Sequence, residues 1–97
     1  EKMKIMALEV ELQKQKPENF GVILEDEARA VWQQIQSGFF REVYFHAEKH
    51  TAVMILEVPG PKEAEDILSQ LPLACEGFIR FDIIPLAPYD GFARLFA

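Results

Sequence analysis

The sequence contains few of the residues that build covalent or metal-dependent sites. Cys75 is its single cysteine, so no disulfide can form within one chain, which is typical of proteins from a reducing cytoplasm. The two histidines, His46 and His50, have no cysteine or histidine neighbours at ligand spacing, which argues against a metal site. We therefore expect a cytoplasmic protein without a bound metal.

Basic residues and long hydrophobic runs are also scarce. Lysine and arginine together number 10 against 16 acidic residues, and the formal charge is −6. Binding to nucleic acid or to an anionic membrane surface needs clustered basic side chains, and the sequence has no such cluster. The longest uninterrupted apolar run, Ala52 to Leu56, is far shorter than the ~20 residues that span a bilayer. We expect neither nucleic acid nor a membrane as a partner, and the start of the chain does not resemble a secretory signal.

Two common catalytic motifs are missing. The sequence has no glycine-rich phosphate-binding loop and no serine in a Gly-x-Ser-x-Gly setting. Hydrophobic residues make up 49% of the 97 residues, which is enough for a folded core. We expect residues 1–97 to form one domain, since no linker, repeat or low-complexity tract interrupts them.

Hydrophobic periodicity predicts four strands and two helices. The predicted strands are Met3–Leu12, Phe39–Ala47, Thr51–Val58 and Phe78–Leu86, and the predicted helices are Glu18–Ser37 and Lys62–Leu71. The turn Glu48-Lys49-His50 is short enough to make the middle strands an antiparallel hairpin. The order strand, helix, strand, strand, helix, strand predicts an α+β, ferredoxin-like βαββαβ sandwich, with both helices on one face of a four-stranded antiparallel sheet.

The predicted first helix has one apolar face at helical spacing. Its members are Phe20, Leu24, Ala28, Val31, Trp32 and Ile35. We interpret this face as the one that packs on the sheet, with Trp32 in the core. The acidic run Glu25–Glu27 is interpreted as solvated, and Gly21 suggests that regular helix begins nearer Leu24. Gly38 and Pro72 are expected to end the two helices, and Cys75 is expected in a loop.

The strands are apolar on both sides, which predicts a dimer. Val53 and Ile55 point to one face of the third strand, and Met54 and Leu56 point to the other. In the fourth strand, Phe81 and Ile84 likewise point to opposite faces. A sheet with one face in water alternates apolar and polar residues more cleanly. Because the chain has too few elements to cover the second face, we expect a second copy to cover it, with the apolar tail Ala87–Ala97 lying across the partner. The alternative is that this tail folds back over its own sheet.

The second half of the sequence contains several short motifs at defined places in the predicted fold. They are Glu57-Val58 at the end of the hairpin, Leu71-Pro72-Leu73 after the second helix, Asp82 in the last strand, and Pro88. In these motifs the sequence resembles the muconolactone isomerase family. Further upstream, Asp26-Glu27, Gly38 and Arg41 match more loosely. The family has a histidine before its final proline, where this chain has Ala87.

The resemblance implies a ferredoxin-like fold, a dimeric α/β barrel, and a homodimer or a larger ring of dimers. It also implies a small-molecule pocket at the dimer interface. Enzymes of this family transfer a proton between two positions of a lactone, and they need neither a metal nor an organic cofactor. A base removes a proton next to a carbonyl group and an acid returns it elsewhere.

Several side chains are candidates for this chemistry. Tyr44 and His46 are two residues apart on one strand and share a face, as a donor and a base. The alternative interpretation is an ordinary aromatic residue beside a hydrogen-bonded histidine. Arg80 and Asp82 also share a face. One interpretation is that they bind and ionise a substrate, and the other is that they form a structural ion pair. Asp82, His46 and Tyr44 are the predicted catalytic residues. Predicted substrate-binding residues are Arg80, Arg41 and His50, although His50 also fits a solvated turn.

Three functions remain open from the sequence. One is a cofactor-free isomerase that transfers a proton on a small lactone or carboxylic acid. The second is a dimeric module that binds a small molecule or supports assembly without catalysis. The third is a cofactor-free monooxygenase of the dimeric α/β-barrel type. An enzyme requires a partly polar pocket, whereas a module would fill the same space with side chains.

Overall fold

A computed structural model describes residues 1–96 of the chain. Its strands are β1 (Met3–Glu11), β2 (Phe40–Phe45), β3 (Ala52–Val58) and β4 (Ile79–Pro85). Its helices are α1 (Phe20–Ser37), α2 (Pro61–Ser69) and the short α3 (Pro72–Cys75), and a 3-10 helix spans Gly91–Leu95. The predicted elements are all present. The short α3 and the 3-10 helix were not predicted, and Cys75 is the last residue of α3 rather than a loop residue.

The four strands form one antiparallel sheet in the order β2-β3-β1-β4. This is the ferredoxin-like arrangement that the element order predicts, so the fold class is confirmed. The central strands β3 and β1 are apolar on both sides, whereas β2 and β4 are the edge strands. A bulge between Phe40 and Glu42 interrupts the pairing of β2 with β3.

The core lies between the sheet and the helices. Its buried members from the sheet and α2 include Ile5, Ala7, Met54, Leu56, Val58, Ala64 and Leu68. Ala64 and Leu68 lie on the buried face of α2, and Pro61 occupies the first turn of that helix, where a missing backbone N–H costs no hydrogen bond. The end of α1 is also as predicted, because Gly38 adopts a left-handed φ of 89° and donates its backbone N–H to Ile35.

The predicted inner face of α1 is correct for Phe20 and Val31, which are half-buried, but wrong for its other four members. The side chains that turn towards the core are Ile23, Glu27, Ala30, Val31 and Gln34, which are half-buried. Leu24, Ala28, Trp32 and Ile35 are exposed, and Trp32 keeps 58% of its surface accessible. The helix also begins at Phe20 rather than nearer Leu24, in spite of Gly21.

Two tertiary contacts set this rotation of α1. The ring of Phe20 packs edge-on against Phe78, with ring centroids 5.0 Å apart. About two turns later, the Glu27 carboxylate accepts a hydrogen bond from the backbone N–H of Leu73 at 2.9 Å. Glu27 is therefore not a solvated residue as expected, because it connects α1 to the unpredicted helix α3.

Burial raises the pKa of Glu27 above the ordinary glutamate value, the Leu73 N–H lowers it in part, and the charge of Glu9 raises it further. Because the folded protein favours the protonated form, Glu27 contributes stability below the ordinary pKa and loses it as the pH rises through the raised value. Glu27→Gln should therefore increase the free energy of unfolding at pH 7, since the amide oxygen still accepts the Leu73 N–H. The increase should vanish near pH 4.

Urea unfolding of Glu27→Gln and wild type at several pH values measures this difference. Glu25→Gln is a matched control, because it removes an exposed carboxylate from the same helix. A Glu27→Gln difference that does not change between pH 4 and pH 7 would contradict the prediction.

The C-terminal segment does not fold back over its own sheet. Its large side chains, Tyr89, Phe92, Leu95 and Phe96, are between 65% and 85% exposed. The radius of gyration is 15.6 Å, whereas a compact chain of this length has about 12–13 Å. The remaining residue of the predicted tail, Ala97, lies outside the described residues. Within residues 1–96, no helix has the length and hydrophobicity required to span a bilayer.

Candidate functional site

The sheet face opposite the helices, which we call the open face, carries most of the predicted site residues. Strand register arranges this face in rows that cross all four strands. One row contains Tyr44, Val53, Leu8 and Asp82, from β2 to β4. The next row towards the β2–β3 turn contains His46, Thr51, Val10 and Arg80. The polar groups therefore lie at the two edges, with an apolar floor between them.

A cleft of about 620 Å³ lies over one half of this floor. Its walls are Leu8, Glu9, Val10, Glu11, His46, Lys49, Thr51, Ala52 and Val53. It thus combines apolar strand residues with an imidazole and an ammonium group from the β2–β3 turn and with two carboxylates from β1. An apolar floor with a few polar groups around it is typical of a site for a small organic molecule.

Hydrogen bonds define the chemical state of His46. Its Nδ1 accepts the backbone N–H groups of Glu48 and Lys49, each at 3.1 Å. Because Nδ1 is the acceptor, the neutral ring carries its proton on Nε2. The geometry assigns His46 as a hydrogen-bond donor through Nε2, whereas the sequence suggested a base.

Tyr44 is also engaged as a donor. Its hydroxyl donates to Oε1 of Glu42 at 2.8 Å, on the same strand and the same face. This hydrogen bond, followed by the charge of Glu42, raises the pKa of Tyr44 above its ordinary value. Sequence reasoning missed Glu42. The available signal was its position two residues before Tyr44, which places both side chains on one side of the strand.

Arg80 and Asp82 form an ion pair within the chain, between Nη1 and Oδ1. Both side chains are more than half exposed at the edge of the open face. In one copy they are far from Tyr44 and His46, since three strand spacings of about 4.8 Å place the edges about 14 Å apart. The structure therefore puts the predicted catalytic residues on one face but does not bring them together within one copy.

The other two predicted binding residues lie elsewhere. Arg41 reaches Glu57 at the opposite end of the open face, with 4.0 Å between Nε and Oε1, and Lys4 approaches the same carboxylate at 3.8 Å. His50 lies in the β2–β3 turn with a positive φ of 59°, and its ring stacks on Phe45 at a centroid distance of 3.9 Å. These contacts give Arg41 and His50 structural roles, in addition to their predicted binding roles.

Glu9 faces the helices rather than the open face. Its Oε1 accepts the backbone N–H of Ala52 at 2.9 Å, next to the start of β3. Among the residues that the structure describes, no group of three or more histidine, cysteine or acidic side chains is arranged to hold a metal ion.

Comparison with solved structures supports the resemblance seen in the sequence. A crystal structure of muconolactone isomerase, at 3.3 Å resolution, superposes with a TM-score of 0.74 and 18% sequence identity. The match covers 91% of this chain and 92% of that one. No protein-family model and no curated protein matches the sequence. The chain thus has a muconolactone isomerase-like fold.

Proposed function

We propose that the protein is a cofactor-free isomerase, which transfers a proton on a small lactone or carboxylic acid between the open faces of two copies. The open face supports this function best, because it combines an apolar floor with acid, base and cationic groups at its edges. Met6, Leu8, Val10, Val53 and Ile55 remain only half-buried in one copy, and Ile84 is exposed. At roughly 25 cal/mol per Å², covering several hundred Å² on each copy contributes on the order of 10 kcal/mol before the cost of association.

A two-fold axis parallel to the strands gives the most complementary pairing of the two faces. This axis places β2 of one copy opposite β4 of the other, and keeps each row of the open face opposite the same row. Lys4 of one copy then faces Glu57 of the other, since they occupy the same row on β1 and β3. An axis perpendicular to the strands would instead place Lys4 opposite Val10 and Glu57 opposite Thr51, which leaves both charges without a charged partner and costs desolvation.

The same axis completes the site. Tyr44 of one copy then lies opposite Asp82 of the second copy, and His46 lies opposite Arg80. The ~10 Å between packed sheets leaves room for a small substrate over the apolar floor. Each dimer thus has two equivalent pockets, and each pocket combines residues from both copies.

These residues suit a stepwise proton transfer. The Asp82 carboxylate removes the proton on the carbon next to the lactone carbonyl, and the electron pair moves onto the carbonyl oxygen. Nε2–H of His46 donates a hydrogen bond to this oxygen as its negative charge develops. Asp82, now protonated, returns the proton to another carbon, so that the double bond moves and no atom is gained or lost. Arg80 and Lys49 are the cations available for a substrate carboxylate.

Solvent exchange tests this chemistry directly. Proton removal next to the carbonyl should incorporate deuterium from D₂O into muconolactone or a related lactone, and NMR detects this exchange even where net conversion is small. The purified protein should accelerate the exchange without added metal or cofactor. If no lactone of a small panel exchanges faster than in buffer, the protein is not an isomerase of this type, and saturable binding without exchange would indicate a binding module.

His46 can be tested separately from the turn that it stabilises. In His46→Asn, the amide oxygen can still accept the N–H groups of Glu48 and Lys49, but the Nε2 donor is lost. We expect the melting temperature to change little, and turnover to fall by about 10²–10³-fold, as for the loss of one donor to a developing oxyanion. His46→Ala should also lower the melting temperature, because it leaves both N–H groups without their acceptor. Unchanged turnover in His46→Asn would exclude the donor role.

We further propose that the protein acts as a single domain in the cytoplasm. The single cysteine, Cys75, is exposed on α3. An exposed thiol is compatible with a reducing compartment.

A further inference from the structure

The exposed side of α1 has the pattern of a helix–helix interface. Its exposed apolar residues, Leu24, Ala28, Trp32 and Ile35, follow one another at spacings of four, four and three residues, so they line up along one side of the helix. Val31 lies at the border of this line but is half-buried and contacts the core. We use the term outer stripe for Leu24, Ala28, Trp32 and Ile35, which are the exposed members.

The outer stripe is separate from the open face. Ala30 and Val31 of α1 contact the core on the helix side of the sheet, and the open face lies on the other side. Leu24, Trp32 and Ile35 keep 46%, 58% and 39% of their surface accessible. Scattered apolar side chains are common on protein surfaces, but a continuous line of them along a helix usually marks an interface. A dimer formed through the open faces would leave this line in water.

We propose that the outer stripe binds the outer stripe of a second copy, with the two α1 helices antiparallel about a two-fold axis near Ala28. Within residues 1–96, α1 is the one helix long enough to match the stripe, since α2 has nine residues and α3 has four. A straight line of apolar side chains along a helix fits a second helix, and a second α1 provides one with the same line of residues.

The charges on α1 favour the antiparallel orientation. Its exposed acidic residues, Glu25 and Asp26, both precede Ala28, and from Ala28 to Ser37 the only charged residue is Arg29. Antiparallel packing places the acidic half of each helix beside the neutral and basic half of the other, whereas parallel packing would place the acidic halves together. It also sets the opposite ends of the two helix dipoles side by side.

The side chains are complementary in size about this axis. Residues whose numbers add to 56 face each other, so that Trp32 covers Leu24 of the second copy. Ile35 then lies over Gly21 of the second copy, where an added side chain would meet no atom within 4 Å apart from its neighbours in the helix itself. Ala28 lies on the axis itself, where a small side chain allows the helices to approach closely.

Charge substitution tests this interface in solution. Ala28→Glu introduces a carboxylate on the axis of both copies, at an exposed position where glutamate is a good helix former. We expect it to halve the mass of the wild-type assembly, measured by light scattering at tens of micromolar protein. Gln33→Glu, which adds the same charge to an exposed position away from the stripe, should leave the mass unchanged. An unchanged mass in Ala28→Glu, or a monomeric wild type, would overturn the interface.

Cysteine cross-linking tests the orientation, in a background with Cys75→Ser. Ala28→Cys should form a covalent dimer on mild oxidation, because the two positions meet on the axis. Leu24→Cys should not, since the two copies of position 24 are about 12 Å apart along antiparallel helices. Cross-linking at position 24 as well as 28 would indicate parallel helices, and no cross-link at 28 would exclude the interface. Failure of the open-face dimer would leave these results unchanged, because the two surfaces do not overlap.

Discussion

Replacing Asp82 with asparagine is expected to reduce lactone isomerisation by about 10²–10⁴-fold, the usual contribution of a general base. The amide has the same size as the carboxylate but cannot accept the proton. Asp82 is more than half exposed in one copy and pairs only with Arg80, so the substitution leaves the core intact. Steady-state kinetics should show the loss in kcat, and light scattering should show an unchanged assembly.

A matched control for Asp82→Asn is Asp66→Asn. Asp66 is an exposed carboxylate on α2, paired with Lys62 at 3.9 Å and distant from the open face. The Asp66→Asn variant should retain wild-type turnover. Full turnover in Asp82→Asn would exclude Asp82 as the base.

Mixing two inactive variants tests whether each pocket is shared between copies. If Asp82 of one copy serves His46 of the other, a heterodimer of Asp82→Asn and His46→Asn has one pocket with both residues replaced and one with both intact. An equal mixture, unfolded and refolded together, should recover about a quarter of wild-type activity, because half of the dimers are mixed and half of their pockets are intact. No recovery would place both residues in a pocket of one chain.

Replacing Ile84 with glutamate is expected to dissociate the open-face dimer. Ile84 is 44% exposed at the β4 edge of the open face, so a glutamate there is compatible with the fold of one copy. In the dimer, the two-fold axis would bury one such charge on each copy opposite the Glu42 carboxylate of the second copy, and each unpaired buried charge costs several kcal/mol. Dissociation should become at least about 10³-fold more favourable, which corresponds to about 4 kcal/mol.

Sedimentation over a range of concentrations measures this change, and isomerisation should be lost with the dimer. Val22→Glu is a suitable control, because Val22 is exposed on α1 outside both proposed interfaces. If Ile84→Glu has the same sedimentation behaviour as Val22→Glu, the open face is not a dimer interface.

The alternation of side chains along each strand is enough to predict which candidate site residues share a face. A period of two places Tyr44 with His46, and Arg80 with Asp82, on common faces, and the register confirms both pairs of positions. The separation of the two pairs does not follow from this alternation, because it depends on the strand order β2-β3-β1-β4, which puts two strands between them. The tautomer of His46 depends on the turn that folds Glu48 and Lys49 over its ring.

The sequence by itself determined the order of the elements, the apolar character of both sheet faces and the existence of an apolar line on α1, because each depends only on local periodicity. The tertiary structure decided which way that line points. The contact of Phe20 with Phe78 and the hydrogen bond from Leu73 to Glu27 turn α1, and both join residues more than 40 positions apart in the chain. Periodicity shows that a helix has an apolar side, but only long-range contacts determine what covers it.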